Sequence, residues 1–530
     1  SRGLGDVYKR QKYKFVQMTF LNFAKSKIYN IIDSWGSFRF VKLKRVYPLK
    51  KGEKMGENTV PQKSSDNAGS IVALMVALLV AIFAFQLNAS MLSPALVTMQ
   101  TQLHTTASSI ALTQTIFFTA AALFALFLPR LADLIGRKKV LIGMLTLTMI
   151  GCLISGFATN VGILMIGRIL QGAAGPVVPL CLIILHVKVR DEKRYAKLMA
   201  ILTSINGGIA GVDALAGGWL VSHGGFRSVF FVMGITAALA ILLVSFGTQE
   251  STAKDTPKMD WSGVILLVVA MGALLSAVNA LQGSFGNLGL PNWLLASLLA
   301  LLGLICFVGF WQVEKRVNHP MIPIHYLKQR RTWGLLITTL LTMTGVFAIM
   351  NGIIPALGQD GKFGLGLGAD MVSLVTLTPY ALAGLFFGPV SGFLAARFGF
   401  TKVLRVGLLT TIIGIGLAVV GVLQPSIWLL LLVSTFIGIT YAGITNIMLN
   451  GLGIVLSPED NPGYLPGLNA GMFNLGAGIS FIILYAVPTL LHTSVGGSSS
   501  GYISGIVTGL ILVIIAFFTS FLIPDSKNVK

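Results

Sequence analysis

Apolar residues in this chain gather in runs separated by short polar stretches, from Ile71 to Ile523. Each run approaches the roughly 20 residues that a helix needs to cross a bilayer. The runs fall at 70–94, 107–128, 139–157, 161–186, 197–221, 226–247, 261–283, 291–312, 333–356, 371–393, 402–422, 427–450, 466–488 and 502–523. They predict an all-α integral membrane protein with about fourteen transmembrane helices. In hydrocarbon every backbone polar group must be bonded within the protein, which limits spanning structures to helices and closed barrels. A barrel would show alternating segments of about ten residues, and this chain has none.

The polar stretches supply an orientation. With the N-terminus inside, the inner loops hold Arg137 to Lys139, Lys188 to Lys197, Lys254 and Lys258, Lys315-Arg316, Lys328 to Arg331, and Arg397, Lys402 and Arg405. Lys527 and Lys530 follow the last run. The opposite loops hold chiefly Arg227 and Lys362. Basic residues stay on the cytoplasmic side, so both termini are expected inside, in a bacterial cytoplasmic membrane. The acidic loop at Glu459-Asp460 adds nothing to this argument.

A repeat is also visible. Leu131 to Leu141, after the second run, matches Leu394 to Leu404, after the tenth, at an offset of 263 residues. Two six-helix halves with a two-helix insertion account for that offset. The expected plan is a lead at 55–69, a first bundle at 70–250, an insertion and linker at 251–330, and a second bundle at 331–530. Transporters built from such halves bind substrate near the bilayer midplane at the repeat interface.

Composition agrees with the spans and narrows the chemistry. Hydrophobic residues make up 54% of the chain and charged ones 11%, with mean hydropathy +0.82, against about 25% charged in soluble domains. Cys152, Cys181 and Cys306 lie singly within apolar runs, so neither a disulfide framework nor a thiolate metal site is expected. The histidines lack ligand spacing, and no phosphate-binding Gly-rich loop with Lys-Ser/Thr occurs. An ATP-driven pump and an embedded enzyme are therefore disfavoured, and no cofactor or metal is expected.

The first 54 residues need separate treatment, because they carry fourteen of the 39 Lys and Arg against three Asp and Glu. Asp6 to Gln11 back-translates as GAT GTG TAT AAG AGA CAG, which looks like a transposase adaptor used in sequencing libraries. Lys51 to Met55 back-translates to contain AAAGGAG just before ATG, which looks like a bacterial ribosome-binding site. Synthesis is expected to begin at Met55, with residues 1–54 an untranslated, non-native leader. The formal net charge of +21 then falls to +10, and a basic nucleic-acid-binding arm is not expected.

Asp133-Leu134-Ile135-Gly136-Arg137-Lys138 resembles the signature loop of the major facilitator superfamily, with Pro129 in place of the usual first glycine. The resemblance implies a latch between the two halves, carried by Asp133, Gly136 and Arg137. Arg168 to Gly172 resembles a second motif of that family, which implies proton transfer or substrate binding at Arg168; the structural alternative is an interhelical pair. Glu314 to Trp333 looks like the loop after the eighth helix of the fourteen-helix drug:proton antiporters. Asn461 to Val487 is similar to their thirteenth helix. That resemblance covers nearly all of residues 68–525. It implies a monomeric multidrug exporter that works by proton antiport, with the proton gradient as energy source.

Two departures bear on this expectation. Asn88 stands where those antiporters usually carry an aspartate in the first helix; asparagine carries neither a proton cycle nor a neutralising charge, but it can hydrogen-bond a neutral or polar solute, so Asn88 stays a substrate candidate. Asp213-Ala214 stands where their fifth-helix motif has Gly-Pro, although the closing Gly217-Gly218 is kept. Intramembrane carboxylates mark proton relays or ion sites by default. Asp213 is therefore expected to carry a coupling proton or bind substrate, the structural alternative being a partner for Arg168.

Polar residues on the apolar runs are further cavity candidates: Gln86, Gln114, Asn206, Asn351, Tyr380, Asn446, Asn469 and Asn474, each also a candidate for helix-to-helix hydrogen bonding. Phe117, Phe118, Phe347, Phe386 and Phe387 could line the same space or face lipid. The competing functional expectations are a specific solute carrier or uniporter without proton coupling, and a non-transporting membrane sensor. The expected partners are a small-molecule substrate and the lipid bilayer.

Overall fold

Helix starts follow the polar punctuation between the apolar runs. The side chains of Thr106, Asn160, Asp191 and Ser498 each accept a hydrogen bond from the backbone N–H three residues on, at 2.8–3.2 Å. Such caps satisfy donors that a helix leaves unpaired at its first turn. The structure, a computed structural model, describes residues 68–189, 191–252, 260–281, 291–317, 329–457 and 464–524. Side chains at 203–211 and at a few other helical positions are not among them. The expected leader at 1–54, most of the polar lead, the bases Lys254, Lys258, Lys328, Lys527 and Lys530, and Glu459-Asp460 lie outside the described residues.

The described residues are all-helical. In the first part of the chain, α1 (Ala68–Ser90) passes through a 3-10 turn at Ser93–Ala95 into α2 (Leu96–Gln102). There follow α3 (Ala107–Ile135), α4 (Arg137–Gly156), α5 (Val161–Gln171), α6 (Val177–Lys188) and α7 (Glu192–Gly247). The hairpin of α8 (Trp261–Leu281) and α9 (Asn292–Arg316) comes next. The last part holds α10 (Arg330–Ala348), α11 (Ile354–Gln359), α12 (Ala369–Val372), α13 (Thr378–Phe398), α14 (Phe400–Leu423), α15 (Ile427–Ile437), α16 (Asn446–Val455), α17 (Tyr464–Leu490) and α18 (Ser499–Thr519).

Among the described residues, twelve helices are long and apolar enough to cross a membrane, against the fourteen expected. The difference has two sources. The runs at 197–221 and 226–247 lie on either side of a kink in α7 at Gly225, whose φ 69° and ψ 179° are not helical, and are counted there as one. The run at 261–283 forms α8 (Trp261–Leu281), of which only Trp261–Ala277 is counted as an apolar helix among the fully described residues.

The sequence repeat reappears in the backbone. Gly136 and Gly399, which are 263 residues apart, separate α3 from α4 and α13 from α14. Their φ values are 119° and 95°, in the region that favours glycine. At Gly175 and Gly438, again 263 apart, an added Cβ would overlap the carbonyls of Ala121 and Tyr380. Small residues at such crossings let membrane helices approach backbone to backbone.

Several spans are interrupted partway. In the first part the breaks are 3-10 turns at Ser93–Ala95 and Gly172–Ala174, each beside a proline. In the last part they are π turns at Ile349–Ile353, Ser373–Leu377 and Gly438–Thr445. Insertions of this kind free backbone groups and often accompany functional sites.

The repeat junctions generate a prediction. Gly136→Val and Gly399→Val should each destabilise the purified protein by about 1–3 kcal/mol, the usual cost of forcing a side chain into a sparsely populated backbone region. Thermal unfolding in detergent measures this; an unchanged midpoint in both variants would show that neither junction needs glycine.

Candidate functional site

Arg168 lies at the C-terminal end of α5 with no solvent exposure. Its guanidinium donates to Gln171 Oε1 at 2.7 Å, Gln114 Oε1 at 2.9 Å, the Asn88 carbonyl at 3.3 Å and the Thr113 carbonyl at 3.4 Å. Its Cζ sits 4.1 Å from the centre of the Phe117 ring. Gln171 in turn donates to Ser155 Oγ at 3.0 Å. The guanidinium therefore ties together the first, second and fourth spans through neutral acceptors. Asn88 is part of this cluster. Its amide donates to the Ala84 carbonyl at 2.7 Å and accepts from the Cys152 thiol at 3.5 Å.

Asp213 is separate from Arg168: no ion pair joins the two among the described residues. The structural alternative of a direct Asp213–Arg168 pair is thus corrected, because Arg168 is already satisfied by amide and carbonyl oxygens. The partner of Asp213 is Ser90, whose hydroxyl donates to Oδ2. Gln86 Nε2 donates to Ser90 Oγ at 3.0 Å. Asp213 is 3% exposed, and its Oδ1 has no hydrogen-bond partner among the described residues. Ser90 is the last residue of α1, so the carboxyl docks where the first span breaks. A buried acceptor left unpaired costs about 1–3 kcal/mol, so Oδ1 has an unmet demand for a donor.

A second polar contact joins the two parts of the chain beside the first. Ser93 Oγ donates to Asn351 Oδ1 at 3.2 Å, and Asn351 Nδ2 donates to the Phe347 carbonyl at 3.1 Å. Asn351 stands 263 residues after Asn88, and both amides donate to the carbonyl four residues earlier. The repeat offset could have revealed this pairing from sequence. Ser90 and Ser93 gave no such signal, because nothing in the chain marks which span meets Asp213. Phe118 and Phe347 meet edge to face at 4.9 Å across the same interface, and Phe347 continues to Phe481 at 6.1 Å.

The remaining candidates scatter. Asn469 accepts from Thr339 at 2.7 Å and donates to the Leu449 carbonyl at 3.2 Å, joining α10, α16 and α17. Tyr380 stacks on Tyr441 with centroids 6.5 Å apart. Asn446 accepts from Asn450 at 2.8 Å, and Asn474 is half-buried. The side chain of Asn206 lies outside the described residues. Phe386 and Phe387 are exposed. In the expected latch, Arg137 pairs with Asp133 at 2.7 Å. Glu250, which sequence reasoning missed, accepts from the backbone of Lys138 at 3.0 Å and of Lys139 at 3.3 Å.

The profile of the Major Facilitator Superfamily matches residues 78–351 and 335–530. The chain belongs to the Major Facilitator Superfamily. A uridine/deoxyuridine transporter of Lactococcus lactis subsp. cremoris is 98% identical to it over 476 residues, which is 90% of this chain and 99% of that protein. The tetracenomycin C resistance and export protein of Streptomyces glaucescens is 26% identical over 425 residues, 77% of this chain and 74% of that one. Among solved structures, nucleoside transporter NupG superposes with TM-score 0.59 at 15% identity, over 85% of this chain and 99% of its own, a likeness of fold.

These findings correct the expectation of a multidrug exporter working by proton antiport. The likeness to drug exporters is a likeness of superfamily frame, while the far stronger match is to a transporter of a specific solute. The departures at Asn88 and Asp213-Ala214 pointed the same way, since the first removes the charge that a cationic drug would need. A fold alone does not fix what its members carry. This chain is a multi-pass membrane protein of the superfamily, and the specific-carrier expectation is the one that the relatives support.

The Arg168 cluster generates a prediction. Arg168→Ala leaves several buried acceptors unpaired, and should lower stability by about 3 kcal/mol or more. Arg168→Lys should rescue it only partly, because an ammonium cannot reproduce the planar fork. Thermal unfolding in detergent reads both, and full rescue by lysine would overturn the geometric argument.

Proposed function

We propose that this chain is a specific carrier for uridine and deoxyuridine in a bacterial cytoplasmic membrane, with its basic loops inside. The observation that carries this reading is 98% identity across 99% of the length of a uridine/deoxyuridine transporter. Two bundles, broadly 70–250 and 331–530, rock about a site between them in this reading.

The polar seam suits such a solute. A nucleoside offers hydroxyl and imide N–H donors, and Asp213 Oδ1 is a buried acceptor without a donor among the described residues. Asn351, Ser93 and Ser90 supply further donors and acceptors nearby along the first and ninth spans. The Phe118–Phe347 pair offers an apolar, aromatic surface to a pyrimidine ring. Asp213 is assigned to substrate binding, Asn351 and Gln86 to its polar surround, and Arg168 with Asn88 and Gln114 to holding the first bundle in shape.

Uptake of labelled uridine by cells that lack their own nucleoside transporters tests this reading. Uridine and deoxyuridine should compete, and a panel of cationic drugs should not. No uridine movement above the empty-vector control would sink it. Asp213→Asn should keep the fold and raise KM for uridine by about tenfold, the loss of one hydrogen bond to a charged group. An unchanged KM would make Asp213 a purely structural residue.

A further inference from the structure

One segment of α7 connects the Asp213 carboxyl to the contact between the two parts of the chain. Asp213 meets Ser90; one turn on, a Cβ at Gly217 would overlap the Met91 carbonyl. At the next residue, a Cβ at Gly218 would lie 2.6 Å from the Ala369 carbonyl. One turn further, Ser222 Oγ donates to Asp370 Oδ1 at 3.2 Å and accepts from the Asp370 backbone N–H at 3.3 Å. Gln359 at the end of α11 donates to the Pro94 carbonyl at 3.2 Å. All these residues lie toward the end of the bundle whose loops are poor in Lys and Arg.

The hydrogen bonds named here between residues 68–250 and 330–524 lie on that side or in the middle, the deepest being Thr115 to the Gly478 carbonyl at 2.8 Å. At the basic end the loop after α3 turns back on its own bundle. Arg137 N–H donates to the Ser251 carbonyl at 3.0 Å, and Lys138 Nζ to the Ser245 carbonyl at 2.6 Å and the Thr248 carbonyl at 3.0 Å.

Burial along the tenth span changes in step. From Ala369 to Gly384 most residues are buried or half-buried. From Leu385 to Phe393 the exposed positions include three consecutive residues, Leu385, Phe386 and Phe387, then Pro389, Val390, Gly392 and Phe393. Consecutive helical residues are about 100° apart, so these positions sweep most of the circumference. A helix open only to lipid would expose one stripe. Here a narrow face through Ser391 and Ala395 is buried, and the rest is open on more than the lipid side.

We infer that Ser222 and Asp370, backed by Gly218 against α12 and by Gln359 on Pro94, form the gate at the base-poor, extracellular end. In the conformation seen here that gate is shut, while residues 385–393 toward the basic end are exposed around most of their helix. Ser222 and Asp370 are positioning residues: they set which side of the membrane the Asp213 region faces. The gate rests on the alternating-access reading but not on the identity of the solute.

The test is a disulfide across the gate. Ser222→Cys/Asp370→Cys is oxidised with copper phenanthroline in membranes, and the cross-linked peptide is identified by mass spectrometry, which needs no substrate. Labelled-uridine uptake is then compared before and after oxidation. The expected result is cross-linking with at least a tenfold loss of uptake, restored by dithiothreitol, while neither single variant responds to oxidant. Failure to cross-link two thiols that both react with maleimide would overturn the gate, as would a cross-linked protein with undiminished uptake. A lack of uridine uptake by wild type would instead count against the substrate reading and leave the cross-linking result standing. Should the double variant not reach the membrane, Ser222→Ala removes both hydrogen bonds of that hydroxyl to Asp370, a shift of at least about five-fold in population. Labelling of Asn351→Cys by an external membrane-impermeant thiol reagent should then rise by that factor, and an unchanged rate would overturn the assignment.

Discussion

A polar group inside a membrane protein has no water to fall back on, and the arrangement of the first bundle follows from how that constraint is met at Arg168. Five donors on a planar fork need acceptors in several directions. Gln114, Gln171 and the carbonyls of Asn88 and Thr113 provide them, from three different spans. Because the guanidinium is fully enclosed, those spans cannot shift independently without exposing unpaired groups to hydrocarbon. The cluster is therefore a rigid body on which moving parts can be mounted.

Asp213 shows the same constraint left open. One carboxyl oxygen is held by Ser90 and the other has no partner among the described residues. Its position at the break of the first span, one turn from glycines that touch Met91 and α12, places an unmet hydrogen-bond demand beside a contact between the two bundles. A solute that supplies the missing donor would act on both at once. The two repeat-related asparagines illustrate how the halves have diverged: each donates to the carbonyl four residues back, but Asn88 faces Cys152 within its own bundle and Asn351 meets Ser93 of the other.

The superfamily frame and the transported solute are read from different parts of the molecule. The frame depends on glycine junctions at 136 and 399, on close crossings at 175 and 438, and on the basic turns that orient the spans. Drug exporters share such a frame at about a quarter identity, as the relation to the tetracenomycin protein illustrates. In the proposed reading, specificity lies in a few polar side chains inside it. An asparagine in place of an aspartate at position 88, and an aspartate-alanine pair in place of glycine-proline, change the chemistry of the interior without disturbing the frame.

Hydropathy alone determined that the chain is a helical membrane protein, because twenty-residue apolar runs have no other stable fold in lipid. The offset of 263 residues and the loop from Asp133 to Lys139 made the repeat and the superfamily legible as well. Helix count was less secure: the expected spans at 197–221 and 226–247 meet at a non-helical glycine, Gly225, inside α7, and hydropathy does not say whether such a break ends one span and starts another. Which polar residues meet was decided by tertiary structure alone. Asp213 and Arg168 were equally plausible partners in sequence, yet helix rotation and crossing set one against Ser90 and the other against amide oxygens. A helix face is chosen by packing against its neighbours, and no local pattern in the chain encodes the rotation that brings Ser222 to Asp370 or Ser93 to Asn351.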